Sequence, residues 1–422
     1  MIRERESDGV EILVCGAGPA GWVAALQCAR LGVRTMLVEK SGMPGGTTTL
    51  NRVAVPGIFH AWGRQVIAGI GWEHVLRTLQ ETDQPVPDFS DIHAAHWKHQ
   101  VRVDPTVFAA LIDESIQSAG VLVRYHTMVA KVDRRDDGWL VTLCGKEGLH
   151  TVAARWLIDT TGDANLAGLA GVELRRFPTL QPGTLVFKLD GYDPSAIDME
   201  ALDAAAHVAL SEGRLDKGDF GWNGTSLRGL VHSRGENAIH VTGIDATDSA
   251  GKSDAEQRGR AAALRVFRFF KSQHGFDKLH FTWSAPECGI RDTRTIVGRA
   301  TVNYDDYVTG RLWDDAVCHS FYPIDLHTDH GLKYEKLREG VVPSIPLGAM
   351  QPVGVERLLV AGRCISADQS AHSALRVQAS CMAMGQAAGA AAAYGVRESE
   401  PIKLESIRST LRQHGAIVPG SR

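Results

Sequence analysis

The first forty residues show the clearest change of pattern along the chain. The apolar run 11–15 (EILVC) predicts a buried strand, and GAGPAG at 16–21 follows it as a turn. Residues 24–32 (AALQCARLG) are rich in Ala and Leu and predict a helix that stops at its final glycine. A second apolar run at 35–39 (TMLVE) predicts another strand. Together they form a strand–turn–helix–strand unit of about 30 residues, the context that a dinucleotide-binding fingerprint requires.

Helical patterns occupy four further segments, at 72–81, 104–120, 254–273 and 375–393. The second is the best marked, because Asp104 can cap its first turn, Pro105 stands at its first position and Gly120 can end it. The last consists mainly of small residues, which suits close packing against a neighbouring element. The alternation of helices and strands indicates an α/β fold.

Short apolar runs predict strands at 121–125, 129–133, 139–143, 149–153, 156–159 and 357–362. Three of them, between 129 and 153, are separated by the short turns RDDG and GKEG. They predict a small antiparallel meander, at about 126–153, inserted into the nucleotide-binding domain. Residues 172–345 have a different, mixed pattern with one long helix and predict a separate substrate domain.

Composition and charge are those of an ordinary globular protein. The chain has 422 residues, 44% hydrophobic and 22% charged, which is enough for two or three domains or for one large domain with an insertion. Its 45 basic and 49 acidic residues give a net charge of −4 without a run of like charges. This balance provides no general attraction to nucleic acid or to an anionic membrane. We therefore expect a small-molecule substrate, with neither nucleic acid nor membrane as a partner.

The N-terminus and the cysteines bear on location and redox chemistry. MIRERESDG has no apolar stretch behind it, unlike a secretory signal, and the tract 381–396 is too short for a membrane span. The seven cysteines are scattered and form no CxxC, which argues against zinc-ribbon, iron–sulfur and dithiol sites. These features predict a cytoplasmic protein without a metal.

The glycine fingerprint suggests its own chemistry. Gly16 permits a tight turn, Gly18 lets a pyrophosphate approach the main chain, and Gly21 lets the helix pack on the strand. Glu39 lies 18 residues after Gly21, where a carboxylate binds ribose hydroxyls and disfavours a 2′-phosphate. The site therefore predicts FAD or NAD rather than NADP. FAD is favoured because the pattern breaks off after Glu39, resumes some 60 residues later and closes only near the C-terminus.

Six ordered blocks resemble the FAD-dependent oxidoreductases of the glutathione-reductase-like flavoprotein superfamily. They are GAGPAG…VEK at 16–40, PGGTTT at 44–49, IDTTGDANLAGLAG at 158–171, IRDTRTIVGR at 290–299, YPIDLH at 322–327 and LLVAGRCISAD…LRVQASCMAMGQAAGAAAA at 358–393. The family's disulfide reductases carry a redox cysteine pair and a second nucleotide-binding fold. The sequence shows neither, which argues against disulfide reduction.

The resemblance implies a fold and a domain division. The fold is α/β, with a Rossmann-like FAD-binding domain whose parallel sheet is built from discontinuous segments, and an inserted substrate domain with a mixed or antiparallel β-sheet. The first part of the FAD-binding domain is expected at 1–171 and its C-terminal part at 346–396. The substrate domain is expected at 172–345, and a C-terminal tail at 397–422.

The fingerprint and the resemblance together imply a set of FAD contacts. These are Gly16, Gly18, Pro19, Ala20, Gly21, Glu39, Lys40, Gly45, Gly46, Thr47, Gly162, Asp163, Gly362, Arg363, Ala374, Leu375 and Arg376. The last three are chosen because the helix expected to begin near Leu375 can point its positive end at the reduced flavin. Arg376 can alternatively be a solvated arginine at a helix end. Asp163 can alternatively be an ordinary aspartate in a turn.

The candidate catalytic residues centre on YPIDLHTDH, which brings Tyr322, Asp325, His327 and His330 close together in sequence. Asp325 and His327 share one face of an extended segment, so the carboxylate can fix the tautomer of the imidazole. A histidine with the ordinary pKa of about 6.5 can then act as a base at neutral pH. The alternative is a structural pair that bridges two strands.

Two further candidates lie elsewhere in the chain. Arg291, with Arg294, can clamp a substrate carboxylate or can brace the domain interface through Asp292. His60 follows the PGGTTT block in a Gly-rich segment that should pass near the flavin, and an ordinary loop histidine is the alternative. Cys364 and Cys381 are expected to be buried packing residues.

These observations predict an FAD-dependent oxidoreductase, a dehydrogenase or oxidase, that oxidises a small organic molecule by hydride transfer to flavin N5. Oxygen or another acceptor would then reoxidise the flavin. Two alternatives stay open: an enzyme that takes electrons from NAD(P)H to reduce its substrate, and a flavoprotein whose FAD is mainly structural, in a complex or on RNA. The electron acceptor is not specified by the sequence, and a homo-oligomer is compatible with it.

Overall fold

Strands and helices succeed one another along the computed structural model, which describes residues 6–223, 226–237, 239–328, 331–398 and 403–420. The strands are β1 (Glu6–Cys15), β2 (Thr35–Val38), β3 (His60–Ala61), β4 (Arg64–Gln65), β5 (Leu122–Arg124), β6 (Met128–Arg135), β7 (Gly138–Gly145), β8 (Gly148–Asp159), β9 (Leu174–Arg176), β10 (Phe187–Asp190), β11 (Gly235–Glu236), β12 (His280–Ser284), β13 (Arg294–Ile296), β14 (Ala316–His319), β15 (Ile324–Thr328), β16 (Gly331–Glu335), β17 (Ser344–Pro346) and β18 (Leu358–Val360). The helices are α1 (Pro19–Arg30), α2 (Ile70–Glu81), α3 (Pro105–Ser118), α4 (Asn165–Leu169), α5 (Met199–Ser211), α6 (Arg228–Ser233), α7 (Ser249–Lys271), α8 (Tyr304–Thr309), α9 (Gln369–Leu375), α10 (Gln378–Arg397) and α11 (Leu404–Gln413). Short 3-10 turns lie at His96–His99, Pro194–Ala196, Lys217–Asn223 and Leu347–Met350.

The central sheet runs in the order β5-β2-β1-β8-β7-β6, and β18 also pairs with β8. Strands β5, β2, β1, β8 and β18 are parallel, which confirms the predicted parallel sheet built from distant segments. Strand β8 pairs with two different strands along the same edge. Its first half pairs with β7, and its last three residues pair with β18. The predicted antiparallel meander is present as β6, β7 and β8, but the prediction of two strands, at 149–153 and 156–159, was wrong. No turn residue interrupts the inward–outward alternation between them, so β8 is continuous.

The parallel strands determine where the loops gather. Strands β1, β2, β8 and β18 end at Cys15, Val38, Asp159 and Val360, all at one edge of the sheet. The loops that follow, including the glycine fingerprint and Ala361–Arg363, therefore meet outside that edge, where ligands of such sheets bind.

Helix α10 packs directly on α1, so the last helical segment of the sheet domain lies against the first. A Cβ at Gly385 would lie 2.8 Å from the Ala20 carbonyl carbon, and one at Gly389 would lie 2.5 Å from the Ala24 oxygen. Small residues are thus required for this approach. The helix predicted over 375–393 is present as α10, but it begins at Gln378, three residues later than predicted, because the preceding helix α9 ends at Leu375.

A second hydrophobic core lies around the antiparallel sheet β11-β10-β12 and helix α7. Helix α7 starts five residues before the predicted 254–273, with Asp248 as its cap. The sequence prediction named one long helix in this region and missed α5, although α5 has an Asp198 cap and apolar positions at helical spacing. The antiparallel strands here agree with the mixed sheet expected for this part of the chain.

The hairpin β15–β16 and the C-terminal helix complete the structure near the cleft. In the hairpin, Asp325 lies opposite Tyr334, and the backbone N–H of Asp325 donates to Ser373 Oγ of α9 over 3.1 Å. The predicted C-terminal tail contains α11, whose Ile407 and Leu411 are buried. No helix among the described residues is both long and apolar enough to cross a membrane.

Candidate functional site

Each glycine of the fingerprint has the environment that its predicted role requires. Gly16 has a φ of +97°, and a Cβ there would lie 2.5 Å from the Thr160 carbonyl oxygen. A Cβ at Gly21 would overlap the Gly16 oxygen, so only glycine lets α1 begin against this turn. Gly18 differs, since a Cβ there would meet no described atom within 4 Å and would project into open space. The turn is therefore closed on the protein side and open where a ligand can approach.

Glu39 follows β2 and lies almost buried in the wall of the cleft. Its Oε2 accepts a 2.7 Å hydrogen bond from the Ala17 N–H, and its Oε1 accepts from the N–H and the hydroxyl of Ser41. The carboxylate is thus held in place at the cleft wall. It also fixes the fingerprint loop, a second role that the sequence prediction did not include.

A cleft of about 960 Å³ lies between the sheet edge and the start of α7. Thirteen of the residues predicted to bind FAD line it: Gly16, Gly18, Pro19, Ala20, Glu39, Lys40, Gly46, Thr47, Gly162, Asp163, Gly362, Arg363 and Arg376. Gly21 and Gly45 lie behind this wall, where a Cβ would meet Gly16 and Thr49 respectively. Ala374 and Leu375 are buried in the last turn of α9, so the structure contradicts the helix start that suggested them.

The cleft has the chemistry that FAD requires. Arg363 Nη1 and Arg376 Nε are buried nitrogens without a hydrogen-bond partner among the described residues, and both side chains line the cleft. Donors of this kind suit an anionic or carbonyl-rich ligand. Met128 and Leu169, also in the lining, are 54% and 44% exposed and offer an apolar surface to an adenine ring. The residues present therefore fit FAD.

Asp163 and Arg363 form an ion pair at the cleft wall, with 2.7 Å between Oδ1 and Nη2. The same Oδ1 accepts a 2.8 Å hydrogen bond from the Thr293 hydroxyl. Asp163 is thus more than a plain turn residue, because it connects the loop after β8 to the start of β13. Arg294 adds to this connection by donating to the Asp163 carbonyl over 3.2 Å.

Gln378, which the sequence analysis did not single out, lines the cleft at the true start of α10. Its side-chain N–H donates to the Val53 carbonyl over 2.7 Å, and its oxygen accepts from the Thr48 hydroxyl over 2.5 Å. It therefore holds the segment after PGGTTT against the helix start. A polar residue at the beginning of a helix of small residues was the available signal.

The candidate catalytic residues on β15 do lie together. Asp325 Oδ2 lies 3.3 Å from His327 Nε2, and Arg376 Nη2 lies 3.8 Å from the same carboxylate oxygen. Tyr322 is almost buried next to them, and its hydroxyl oxygen accepts a 3.3 Å hydrogen bond from Gln100. Because Arg376 also lines the cleft, it connects this cluster with the predicted FAD site. His330 lies outside the described residues.

The charge states of the pair follow from burial and from two arginines. Burial, then the positive charge of Arg291, lowers the pKa of His327 to about 4. Burial by itself would raise the pKa of Asp325, but the hydrogen bond from His327 and the charges of both arginines lower it to about 2. At neutral pH the imidazole is therefore neutral and the carboxylate ionised. Since Nε2 faces the carboxylate, Nε2 carries the proton and Nδ1 is the basic nitrogen.

Arg291 makes the contacts of a brace. It is buried, and its Nη1 donates to the Pro182 carbonyl over 2.5 Å and to the Thr184 hydroxyl over 3.1 Å. Burial lowers its own pKa to about 10, so it stays charged at neutral pH. Arg291 is not one of the residues that line the cleft. Of the two alternatives, the described contacts favour the brace.

His60 is not brought to this cluster. Its ring stacks on Phe89, with 3.8 Å between centroids, and it packs edge-on to Trp72 at the hairpin β3–β4. It does not line the cleft, and burial lowers its pKa to about 4. The Gly-rich segment turns away from the cleft before it reaches His60.

Two residues of the cluster were missed by sequence reasoning. His240 lies edge-on to His327, with 4.9 Å between ring centroids, and burial followed by the charge of Arg291 lowers its pKa to about 2. Gln181 contacts both His327 and Arg376. Neither residue belongs to a motif, and only the folded chain brings them to β15. Within the described residues no group of three His, Cys, Asp or Glu could hold a metal ion.

A family model matches nearly the whole chain. It is described as FAD dependent oxidoreductase and matches residues 11–413. Curated relatives match locally: dihydrolipoyl dehydrogenase of Haloferax volcanii is 36% identical over 96 residues, 22% of this chain and 18% of that protein. Leghemoglobin reductase of Glycine max is 46% identical over 50 residues, 12% of this chain and 9% of that protein. The matched region thus spans less than a fifth of either relative.

Solved structures resemble the chain more distantly over most of its length. CabE, an aromatic hydroxylase from angucycline biosynthesis, is 14% identical with a TM-score of 0.44, over 96% of this chain and 66% of that one. A geranylgeranyl bacteriochlorophyll reductase-like protein from Thermoplasma acidophilum is 12% identical with a TM-score of 0.45, over 97% and 83% of the two chains.

Proposed function

The chain belongs to the FAD dependent oxidoreductase family, and from this premise we propose that it oxidises a small organic substrate at the cluster around Asp325 and His327. When bound, FAD supplies an acceptor for a hydride from a substrate C–H bond. The protein's own task is then to take up the proton that the substrate loses from an O–H or N–H group, so that a C=O or C=N bond forms. The C–H and the O–H or N–H bonds break, and the substrate loses two electrons.

His327 is the proton acceptor in this proposal. Its ring is neutral at neutral pH, and Asp325 fixes the tautomer that leaves Nδ1 basic. The ionised carboxylate favours the imidazolium that forms when Nδ1 takes the proton, and so partly offsets burial and the charge of Arg291, which disfavour it. Tyr322, protonated because burial and Asp325 raise its pKa, orients the substrate through its hydroxyl.

The observation that carries the proposal is the link between the Asp325–His327 pair and the cleft. Arg376 lines the cleft, and its Nη2 lies 3.8 Å from the Asp325 carboxylate. A proton acceptor next to the flavin site is what oxidation of a C–O or C–N bond requires. A structural pair far from the cleft would have no such connection.

The test begins with the cofactor and continues with a substrate screen. Purified protein should be yellow and should release FAD on acid or heat denaturation, since no tethering motif is evident in the sequence. Anaerobic addition of alcohols, amines, hydroxy acids and amino acids should then identify a donor that bleaches the flavin absorbance. Bleaching by NADH or NADPH alone would favour the reverse, reductive direction. If photoreduction bleaches the bound FAD but none of the organic donors does, the result would contradict the proposal.

A further inference from the structure

Gln181 lies buried between the cleft and the hairpin, and its contacts fix the orientation of its amide. Its backbone N–H donates to Asp292 Oδ1 over 2.8 Å, and its side-chain N–H donates to Asp292 Oδ2 over 3.0 Å. A carboxylate only accepts hydrogen bonds when ionised, so the amide nitrogen must face Asp292. The amide oxygen is thereby directed the other way.

The amide oxygen faces the two residues that the proposed function depends on. It lies 3.1 Å from the backbone N–H of His327 and 3.5 Å from Arg376 Nη2. The N–H groups of Asp325 and His327 point away from β16, along the outer edge of β15. Ser373 accepts from the first, and Gln181 accepts from the second. This edge is therefore fixed by two side chains rather than by another strand.

One amide thus joins three parts of the chain that are far apart in sequence. Asp292 precedes β13, His327 lies on β15, and Arg376 stands at the break between α9 and α10. Removing the amide would leave the His327 N–H and one Arg376 N–H without this acceptor in a buried site, where an unmade hydrogen bond is most costly. Each group would then be held by one contact fewer, since Arg376 keeps its contacts with Asp325 and His327 keeps its place in the hairpin.

We propose that Gln181 is a positioning residue that holds the Arg376 guanidinium at the cleft wall and His327 next to Asp325. The role of His327 in this statement rests on the proposed function, whereas that of Arg376 rests only on its place in the cleft lining. A positive charge held at that wall favours the reduced, more negative form of a bound flavin. Loss of Gln181 should therefore alter the cofactor itself, even with no substrate present.

The chain offers a matched control for this test. Gln369 also donates its side-chain N–H to Asp292 Oδ2, over 3.2 Å, but its other hydrogen bond goes to the Thr179 carbonyl rather than to His327 or Arg376. Gln181→Met and Gln369→Met each remove one amide from the same carboxylate at similar side-chain volume. Any general weakening of the contacts around Asp292 should appear in both variants. A change in the midpoint potential of the bound flavin should appear only in Gln181→Met.

The measurement is the midpoint potential of the bound FAD, determined by equilibration with a reference dye. In Gln181→Met we expect the preference for reduced flavin to fall about tenfold, which is about 30 mV for a two-electron couple. Gln369→Met should stay within about twofold of the parent protein. An unchanged potential in Gln181→Met, or equal shifts in the two variants, would overturn the proposal. The potential does not involve His327, so a failed proposed function would leave this result standing.

A second variant keeps the test decisive if Gln181→Met does not fold. In Gln181→Glu the introduced carboxyl group, when protonated, can still donate to Asp292 and accept from His327 and Arg376. When ionised it is repelled by Asp292. The potential should therefore be near that of the parent protein at low pH and should depart from it as the pH rises, beyond the pH dependence of Gln369→Met. Identical pH dependence in the two variants would contradict the positioning role.

Discussion

The glycine loops at the cleft and the hairpin cluster around His327 are built in opposite ways. The loops follow the ends of parallel strands, and their main chain forms the cleft wall at Gly16 and Gly18. The cluster is made of side chains from the second core, the hairpin and the break between two helices. A main-chain site depends on a short local sequence, whereas a side-chain site depends on how distant segments pack. Substitutions should therefore affect the two regions differently.

The largest effect is expected from His327→Gln, which removes the proposed proton acceptor. The rate of flavin reduction by the identified substrate should fall by roughly 10²–10⁴, the usual share of general acid–base catalysis. FAD binding should be unchanged, because His327 does not line the cleft. The rate is measured by anaerobic stopped-flow absorbance. His60→Gln serves as the comparison, since His60 stacks on Phe89 away from the cluster, and a slower rate there with normal reduction in His327→Gln would reverse the assignment.

Two glycines separate packing from ligand contact in the fingerprint. Gly21→Ala forces a methyl group into the Gly16 carbonyl, so the free energy of unfolding of the apoprotein should fall by about 1–3 kcal/mol. Gly18→Ala places its methyl in open space and should leave that free energy nearly unchanged, yet FAD should bind more weakly. Urea unfolding of the apoproteins and FAD titration measure the two quantities. Equal destabilisation by both substitutions would show that Gly18 does not face the ligand.

Glu39→Ala should weaken FAD binding at least tenfold, a change of about 1.4 kcal/mol. The carboxylate is expected to bind ribose hydroxyls through charge-assisted hydrogen bonds. The structure adds a second cause, since Glu39 also accepts from the Ala17 N–H and holds the fingerprint loop. Glu39→Gln tests the two separately, because a neutral amide oxygen can still accept from Ala17. Full FAD occupancy of Glu39→Ala at micromolar concentration would contradict the ribose role.

The smallest effect concerns acid stability. Burial is the largest cause that lowers the pKa of four buried histidines: to about 4 for His74, His327 and His372, and to about 2 for His240. Unfolded histidines titrate near about 6.5, so the unfolded state binds more protons below that pH. Their stability contribution is full above about pH 6.5 and decreases as the pH falls toward about 4.

The groups that face His327 are the charged side chains of Asp325, Arg291 and Arg376 and the neutral ring of His240. Thermal unfolding and the rate of flavin reduction check the pH range separately. Thermal unfolding of the apoprotein should therefore move to lower temperature between pH 6.5 and 4.5. The flavin reduction rate should not fall over the same interval, because His327 stays neutral in the folded protein. A rate that halves near pH 6.5 would show that its pKa is not lowered.

The sequence allowed the local parts of the site to be predicted and left the distant contacts open. The fingerprint could be predicted because Gly16, Gly18 and Gly21 act through backbone geometry within six residues. The break at Arg376 was missed because Leu375 and Val377 continue the apolar pattern on either side of it, while the extended backbone of Val377 interrupts the helix. The residues next to Gln181 and His240 in sequence do not mark them as part of the site. Their role comes from contacts with the distant residues His327 and Arg376.

The close packing of α10 on α1 has a consequence for how the protein is made. The fingerprint emerges from a ribosome first, but Arg363, Arg376 and Gln378 belong to the last fifth of the chain. Until those residues are synthesised, α1 lacks the helix that covers it and the cleft lacks part of its wall. The nascent chain can therefore complete this cleft only after those residues have been synthesised, and a product truncated before them carries the fingerprint without a finished cleft wall.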